Sequence, residues 1–244
     1  MLSRGDCIIP EWPAPARVRA LVTTRLGGCS ESPYATLNLG IRVGDDPARV
    51  ASNRESLTRL LPDAPRWLTQ VHASTVVDAA RSSETTEADA SFTRAAGIVC
   101  AIQMADCLPV LLASDDGAVV AAAHAGWRGL AAGVLENTAS AMSTPPERIL
   151  AWLGPAIGPE AFEVGDEVRS AFVSRDQGAA SAFRPGNRGK WTADLYELAR
   201  QRLRGCGITR VHGGGFCTHT DSDRFFSHRR DGISGRMAAL IWLR

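Results

Sequence analysis

Lysine is almost absent from this chain. Of its 27 lysine and arginine residues, only Lys190 is a lysine. A Schiff-base mechanism therefore has one candidate, and because Lys190 lies in a polar Gly-Asn-Arg-Gly-Lys segment, we exclude that chemistry. An excess of either charge is also lacking, since the formal net charge is +1. This balance gives no electrostatic signature of a nucleic-acid-binding or membrane-surface protein.

Long apolar runs and paired cysteines are missing as well. No segment approaches the roughly 20 apolar residues of a membrane span. The first residues, Met1 to Ala20, carry Asp6, Glu11 and several prolines, unlike an export signal. The six cysteines form no Cys-x-x-Cys pair and no small disulfide framework. We therefore expect a cytoplasmic protein with reduced thiols and no membrane partner. We also expect a monomer.

Strand and helix patterns alternate irregularly, with no solenoid repeat and no low-complexity linker. This mixture favours an α/β (α+β) layered sandwich, built as a single domain over 1–244, above a doubly wound sheet. The predicted strands are Arg17–Thr23, Trp67–Val71, Ile98–Met104, 108–112, 118–123, Ile149–Leu153, Ile208–Val211, Phe225–Phe226 and Met237–Leu243. The predicted helices are Pro47–Leu61, Leu130–Met142 and Asp194–Leu203, and 231–235 is predicted as the turn of a final hairpin.

One predicted hairpin carries the most informative residues. The strands at 108–112 and 118–123 flank Ser114-Asp115-Asp116-Gly117, and Asp-Gly is a strong turn signal. If the strands pair antiparallel, Cys107 and His124 lie at the same end of the hairpin, far from the turn. A thiolate and an imidazole that converge suit zinc, and a third protein ligand would leave one position open for chemistry.

A third ligand is available in His72, which follows the predicted strand Trp67–Val71. From the residues alone, His72 fits a half-exposed residue at a strand end as well as it fits a metal ligand. Cys107 equally fits a small, buried hydrophobic residue that binds no metal. The residues by themselves leave a His2Cys zinc site as one of these alternatives.

Arginines near predicted element ends are candidates for binding phosphate. Arg128 lies in the Gly126–Gly129 loop that follows His124, and Arg54 lies in the first predicted helix. A guanidinium matches phosphate and carboxylate with a planar fork of donors. The alternative for each is a solvated surface charge.

Several motifs in this order resemble the YfiH-like family from about residue 10 to the end of the chain. They are Gly27–Ser30, Leu37–Gly40, Gln70–His72, Ala105–Val110, His124–Gly129, Gly154–Pro159, Phe225–Gly232 and Gly235–Ala238. One departure is His228, where the family more often has tyrosine.

The resemblance implies a layered αββα sandwich of mixed sheets and one zinc ion per chain, held by His72, Cys107 and His124. It implies phosphorolysis of adenosine, inosine, guanosine and methylthioadenosine, together with adenosine deamination. Purine nucleosides and phosphate are then the partners, with no nucleic acid, and Arg128 and then Arg54 are our candidates for holding phosphate.

The same family has been described as a copper polyphenol oxidase, or laccase, and has been linked to editing of peptidoglycan precursors by an amidase. A multicopper oxidase needs many histidines, commonly in His-x-His pairs. This chain has five histidines and no such pair. We therefore expect no laccase, although two histidines and a cysteine can hold one copper ion, which keeps copper as an alternative to zinc.

Overall fold

Two mixed β-sheets lie face to face at the centre of the molecule. The structure is a computed structural model, and it describes residues 2–244. The strands are β1 (Cys7–Ile8), β2 (Val18–Thr23), β3 (Pro65–Arg66), β4 (Val76–Asp78), β5 (Ala90–Thr93), β6 (Val99–Met104), β7 (Leu108–Ser114), β8 (Val120–Ala125), β9 (Ile149–Leu153), β10 (Glu163–Val164), β11 (Phe183–Pro185), β12 (Trp191–Ala193), β13 (Arg210–Gly213) and β14 (Met237–Leu243). One sheet has the order β1-β2-β14-β6-β3 and the other has the order β13-β9-β7-β8-β5-β4. Strands β10, β12 and β11 form a small third sheet.

Helices cover the outer faces of both large sheets. The α-helices of the structure are α1 (Pro47–Thr58), α2 (Trp127–Ala132), α3 (Val134–Met142), α4 (Asp166–Val173), α5 (Leu195–Gly205) and α6 (His228–Asp231), and the first five provide this cover. Residues of α2, α3, α4 and α5 pack on the six-stranded sheet, and Leu57 of α1 packs on the five-stranded sheet. The layers therefore run helix, sheet, sheet, helix, which confirms the predicted αββα sandwich. The bounds of 1–244 for its single domain stay a prediction.

The central strands are apolar on both faces because each face meets a different layer. In β7, Leu108, Val110 and Leu112 pack toward the helices, whereas Leu111 and Ala113 pack between the sheets. This period of two is the alternation expected of a strand, and burial on both faces explains its continuous apolar run. The strand that begins directly after Cys107 is therefore buried along its whole length.

The predicted hairpin of β7 and β8 is confirmed. The two strands pair antiparallel, with Leu108 opposite Ala125 and Pro109 opposite His124. Its turn is closed by a hydrogen bond from the Gly117 amide to the Ser114 carbonyl, 2.9 Å. This register places Cys107, which directly precedes β7, at the same end as His124.

Two strand predictions are wrong. The segment Trp67–Val71 makes only an isolated bridge, at Thr69, and the short strand β3 lies just before it. Phe225 and Phe226 are fully buried between the sheets in an irregular segment, so 231–235 does not close a hairpin. An apolar run signals burial, but without ladder partners it does not make a strand.

The helix predicted at Leu130–Met142 is divided in two. It begins earlier, at Trp127, and breaks at Gly133, whose φ of 95° is left-handed. Glycine adopts this conformation without the steric cost of a side chain, so Gly133 ends α2 and starts α3.

Among residues 2–244, no helix combines the length and the apolar character needed to cross a bilayer. The predicted monomeric state stays a prediction.

Candidate metal centre

Three neighbouring strands of the six-stranded sheet bring polar side chains to one edge. Strand β8 carries His124, and β7 begins directly after Cys107 and pairs with β8. Strand β5 pairs with β8 on its other side and begins directly after Asp89. Antiparallel pairing therefore places these three residues, which are distant in sequence, side by side.

His72 approaches the same edge from the loop between β3 and β4. Its backbone is left-handed, with φ of 61°, which is uncommon for a residue other than glycine. The side chain is exposed, whereas His124 is only 3% exposed and Cys107 is half-buried. The group thus spans from the protein interior to its surface.

The donor atoms of His72, Cys107 and His124 converge. All lie within 4.8 Å of one another, and Cys107 Sγ is 3.8 Å from His72 Nε2. In a tetrahedral zinc site with ordinary bond lengths, sulfur and nitrogen ligands are about 3.5 Å apart. The Cys107–His72 pair is close to this spacing, and the widest pair would have to close by about 1 Å. A thiolate with two imidazoles suits zinc or copper better than magnesium or calcium.

The Cys107 thiol and the His124 imidazole stabilise each other's charged forms. Burial raises the pKa of the Cys107 thiol, but the charge and hydrogen bonds of His124 and His72 outweigh burial and lower it to about 6. Burial lowers the pKa of His124, but Cys107 and Asp89 outweigh burial and raise it to about 9. Cys107 is therefore readily present as the thiolate that a metal ion requires.

Gly126 leaves the room that this group needs. A Cβ atom at this position would lie 2.8 Å from Cys107 Sγ and 3.2 Å from the Cδ2 atom of His72. The absence of a side chain therefore lets the backbone pass directly beneath two of the three donors.

A second buried carboxylate supports Cys107. Asp106, which directly precedes it, has φ of 88° and is 9% exposed. Its side chain accepts hydrogen bonds from the Thr218 hydroxyl, 2.6 Å, and from the Arg229 amide, 2.7 Å. These contacts attach the Cys107 segment to the region before β14.

The three donors open into a pocket of about 470 Å³, which we call the metal-site pocket. Its lining is rich in cationic groups: Arg42, Arg128 and Arg236 contribute guanidiniums, and Glu84 is the one carboxylate among the lining residues within 2–244. Its other lining residues are Gly40, Ile41, Val43, Leu68, Gln70, His72, Gln103, Met104, Ala105, Cys107, His124 and His228. The guanidinium groups therefore give the pocket positive charge beside the donors.

The two arginines predicted from the sequence differ in position. Arg128 is exposed and lines the pocket. Its Cζ atom lies 4.3 Å from the centroid of the Trp127 ring, and Arg128 forms no ion pair with any residue in 2–244. Arg54 lies outside the lining, where its guanidinium pairs with Glu84 at 2.8 Å and stacks on Trp67 at 4.5 Å. The structure therefore brings Arg128 near the three donors but not Arg54, which instead fixes a carboxylate of the pocket wall.

Comparison with known proteins identifies the family. A family model described as multi-copper polyphenol oxidoreductase laccase matches residues 19–244. The purine nucleoside phosphorylase YfiH of Escherichia coli is 52% identical and aligns over 97% of this chain and 98% of its own. This chain belongs to the YfiH-like family.

Other relatives agree with this assignment. A purine nucleoside phosphorylase of Pseudomonas aeruginosa is 56% identical over 97% of this chain and 98% of that protein. The crystal structure of a Neisseria meningitidis protein superposes with a TM-score of 0.95 at 50% identity, and the match covers 98% of this chain and 99% of that one. The fold is therefore that of the YfiH-like family throughout.

Sequence reasoning missed several residues of this YfiH-like site. Arg42 and Arg236 line the pocket from segments far apart in sequence. Arg42 stands in none of the family motifs, and Arg236 stands in the Gly235–Ala238 motif, whose residues give no sign of a shared pocket. His228 also lines the pocket, although the family resemblance does not place it among the metal ligands. Asp89 was missed because an acidic residue in a polar segment is usually solvated, and here it is fully buried.

Proposed function

We propose that this chain is a zinc-dependent purine nucleoside phosphorylase for adenosine, inosine, guanosine and methylthioadenosine, with adenosine deaminase activity at the same site. The observation that carries the proposal is that one pocket combines a His, Cys and His donor group with three arginines. The names of relatives up to 56% identical support the phosphorylase activity.

The metal ligands in this proposal are His72, Cys107 and His124. The convergence of their donor atoms, the lowered pKa of the Cys107 thiol and the space left by Gly126 all support this assignment. Two histidines and one cysteine are a donor set of catalytic zinc sites, in which the fourth position stays open. The chemistry that zinc supplies in such a site is Lewis-acid catalysis.

Phosphate is assigned to the arginines of the metal-site pocket. Arg128 is the first choice, because it follows His124 closely and has no ion-pair partner among residues 2–244 that it would have to release. Arg42 and Arg236 line the same pocket and can share the charge of the anion. Arg54 remains the sequence-based second candidate, but its contacts with Glu84 and Trp67 favour a supporting role.

The reaction explains why several fixed cations are needed. In phosphorolysis a phosphate oxygen forms a bond to C1′ of the ribose, the bond from C1′ to the purine nitrogen breaks, and the purine leaves with a proton. Positive charge develops on the sugar, so the phosphate must be held close to C1′ in a fixed orientation. Guanidinium groups supply that orientation and neutralise phosphate without acting as nucleophiles.

Two rival activities use the same donors differently. A copper oxidase is disfavoured because a multicopper centre needs more than one cluster of metal-binding side chains. Within residues 2–244, His72, Cys107 and His124 are the one group of three or more His, Cys, Asp or Glu residues whose donor atoms converge. An amidase for peptidoglycan precursors has no need of an arginine-lined anion pocket. Neither rival is favoured by a specific contact.

The decisive experiment is to incubate the zinc-loaded protein with adenosine, with and without inorganic phosphate, and to separate the products. Adenine and ribose 1-phosphate that form only with phosphate support phosphorolysis. Inosine that forms without phosphate supports deamination. The absence of all three products would contradict the proposed function and direct attention to the amidase and oxidase substrates.

A further inference from the structure

One buried carboxylate contacts both histidines of the candidate metal centre. Asp89 is fully buried, and its Oδ1 atom accepts hydrogen bonds from the His124 ring, 2.8 Å from Nδ1, and from the His72 amide, 3.0 Å. Its Oδ2 atom accepts from the amides of Val71, 3.1 Å, and Ala73, 2.7 Å. We infer that Asp89 is a positioning residue that presents both His72 and His124 to the metal, an inference that rests on the proposed metal site.

On the His124 side, the contact selects one ring nitrogen. The hydrogen bond to Asp89 occupies Nδ1, so Nε2 is the nitrogen left to face Cys107 and His72. The backbone amide of His124 also donates to the Asp89 carbonyl, 2.7 Å, which aligns the two residues across β5 and β8. Such a carboxylate fixes the tautomer and the orientation of a ligating imidazole and strengthens it as a donor.

On the His72 side, the contact holds the backbone. Three consecutive amides, those of Val71, His72 and Ala73, point at the same carboxylate. This arrangement stabilises the left-handed conformation of His72, φ 61°, which has no support from a regular element. The side chain of His72 is exposed, so its direction depends on this backbone anchor.

The chemistry of the four contacts requires a carboxylate. Both oxygen atoms of Asp89 receive two N–H groups each. An asparagine has one acceptor oxygen and an amide nitrogen that only donates, so it would leave two of the four donors facing another donor. An aspartate is therefore the side chain of this length that satisfies both histidine segments at once.

The first test is the variant Asp89→Asn, with Asp115→Asn as its control. Asp115 lies in the turn at the far end of the β7–β8 hairpin, where it pairs with Arg148 and Arg210. Zinc affinity is measured by competition with a chromogenic chelator, and the folded fraction by circular dichroism. We expect Asp89→Asn to bind Zn²⁺ about 10–100-fold more weakly, as other variants of residues that support metal ligands do. Asp115→Asn should retain the affinity of the wild type.

The second test needs no variant and covers the case in which Asp89→Asn does not fold. In the zinc-loaded wild type, nitrogen-15 NMR of the histidine rings should find a proton on Nδ1 of His124 and none on Nε2. Metal bound at Nδ1, or an Asp89→Asn variant with unchanged zinc affinity, would overturn the role of Asp89 while leaving the proposed site intact. A wild type that binds no zinc would instead overturn the site and this inference together.

Discussion

Two pockets of similar size each contain a half-buried cysteine, yet only one has the donors of a metal centre. The metal-site pocket is about 470 Å³, and a second pocket, the Cys217 pocket, is about 400 Å³. The Cys217 pocket is lined by Gly158, Pro159, Glu160, Asp194, Tyr196, Arg200, Gly215, Phe216, Cys217 and Thr220. It contains an arginine and carboxylates, but its lining within residues 2–244 includes no histidine.

The two thiols also acquire their acidity in different ways. Burial raises the pKa of both. At Cys107, imidazole charge and hydrogen bonds from His124 and His72 outweigh this effect. At Cys217, hydrogen bonds from the side chain and backbone of Thr220 and from the amides of Gly158 and His219 outweigh it instead. A lowered thiol pKa is therefore common to both pockets, and the converging imidazoles are what distinguish the candidate metal centre.

The largest expected difference between the pockets is the loss of zinc when Cys107 is replaced by serine. A neutral hydroxyl is a far weaker zinc ligand than a thiolate, so Cys107→Ser should lose its metal on dialysis. Cys217→Ser is the matched control and should keep about one zinc per chain. Elemental analysis of both variants is the measurement, and full zinc content in Cys107→Ser would remove Cys107 from the site.

A smaller but related difference is expected for two glycines, each of which lies against one of the cysteines. A Cβ at Gly126 would meet Cys107 Sγ at 2.8 Å, and a Cβ at Gly158 would meet Cys217 Sγ at 3.0 Å. Gly126→Ala should displace a donor and weaken zinc binding about 10–100-fold, the range for a disturbed ligand shell. Gly158→Ala should leave zinc affinity unchanged. Equal zinc affinities by chelator competition would contradict the close fit at Gly126.

The arginines of the two pockets should differ in their effect on phosphate. A hydrogen bond to a charged group contributes about 1.5–3 kcal/mol, so Arg128→Ala should raise the KM for phosphate about tenfold or more. Zinc content and phosphate-independent deamination should stay largely intact. Arg200→Ala, in the Cys217 pocket, should leave the KM for phosphate unaltered. If steady-state kinetics give both variants the same KM for phosphate, Arg128 is a surface charge and the phosphate ligands lie elsewhere.

The parts of this site that follow from local sequence could be predicted, and those that depend on distant pairing could not. The Asp116-Gly117 turn determines the register of β7 and β8, so the convergence of Cys107 and His124 is confirmed. Asp89 meets His124 only because β5 pairs with β8, and the residues in β5 do not specify that partner. The strand predicted at Phe225–Phe226 is wrong for a related reason: an apolar pair indicates burial, but it does not indicate whether another strand lies beside it to form hydrogen bonds.

The convergence of three arginines illustrates the same limit. Arg42 and Arg236 come from two loops and Arg128 from the start of α2, and the packing of the two sheets brings them together. Arg128 could be selected because it closely follows His124, but in a chain where nearly all basic residues are arginine, composition gives no means of selecting Arg42 and Arg236. The family resemblance supplied His72 as a third ligand where the residues alone left its role open.

The smallest expected difference concerns the reaction of three thiols, those of Cys107, Cys206 and Cys217, with iodoacetamide. The thiolate is the reactive form of a cysteine, and it predominates at pH values above the pKa. Hydrogen bonds lower the pKa of Cys217, whereas burial raises the pKa of Cys206. Lowering the pH from 8.5 to 7 should therefore slow the labelling of Cys217 less than the labelling of Cys206. The difference is a few-fold only, because both thiols lose thiolate over this pH range. In the zinc-loaded protein Cys107 should be protected, and removal of zinc with a chelator should expose it, while labelling of Cys217 stays the same. Peptide mass spectrometry measures each site, and labelling of Cys107 at equal rates with and without zinc would show that its sulfur does not bind the metal.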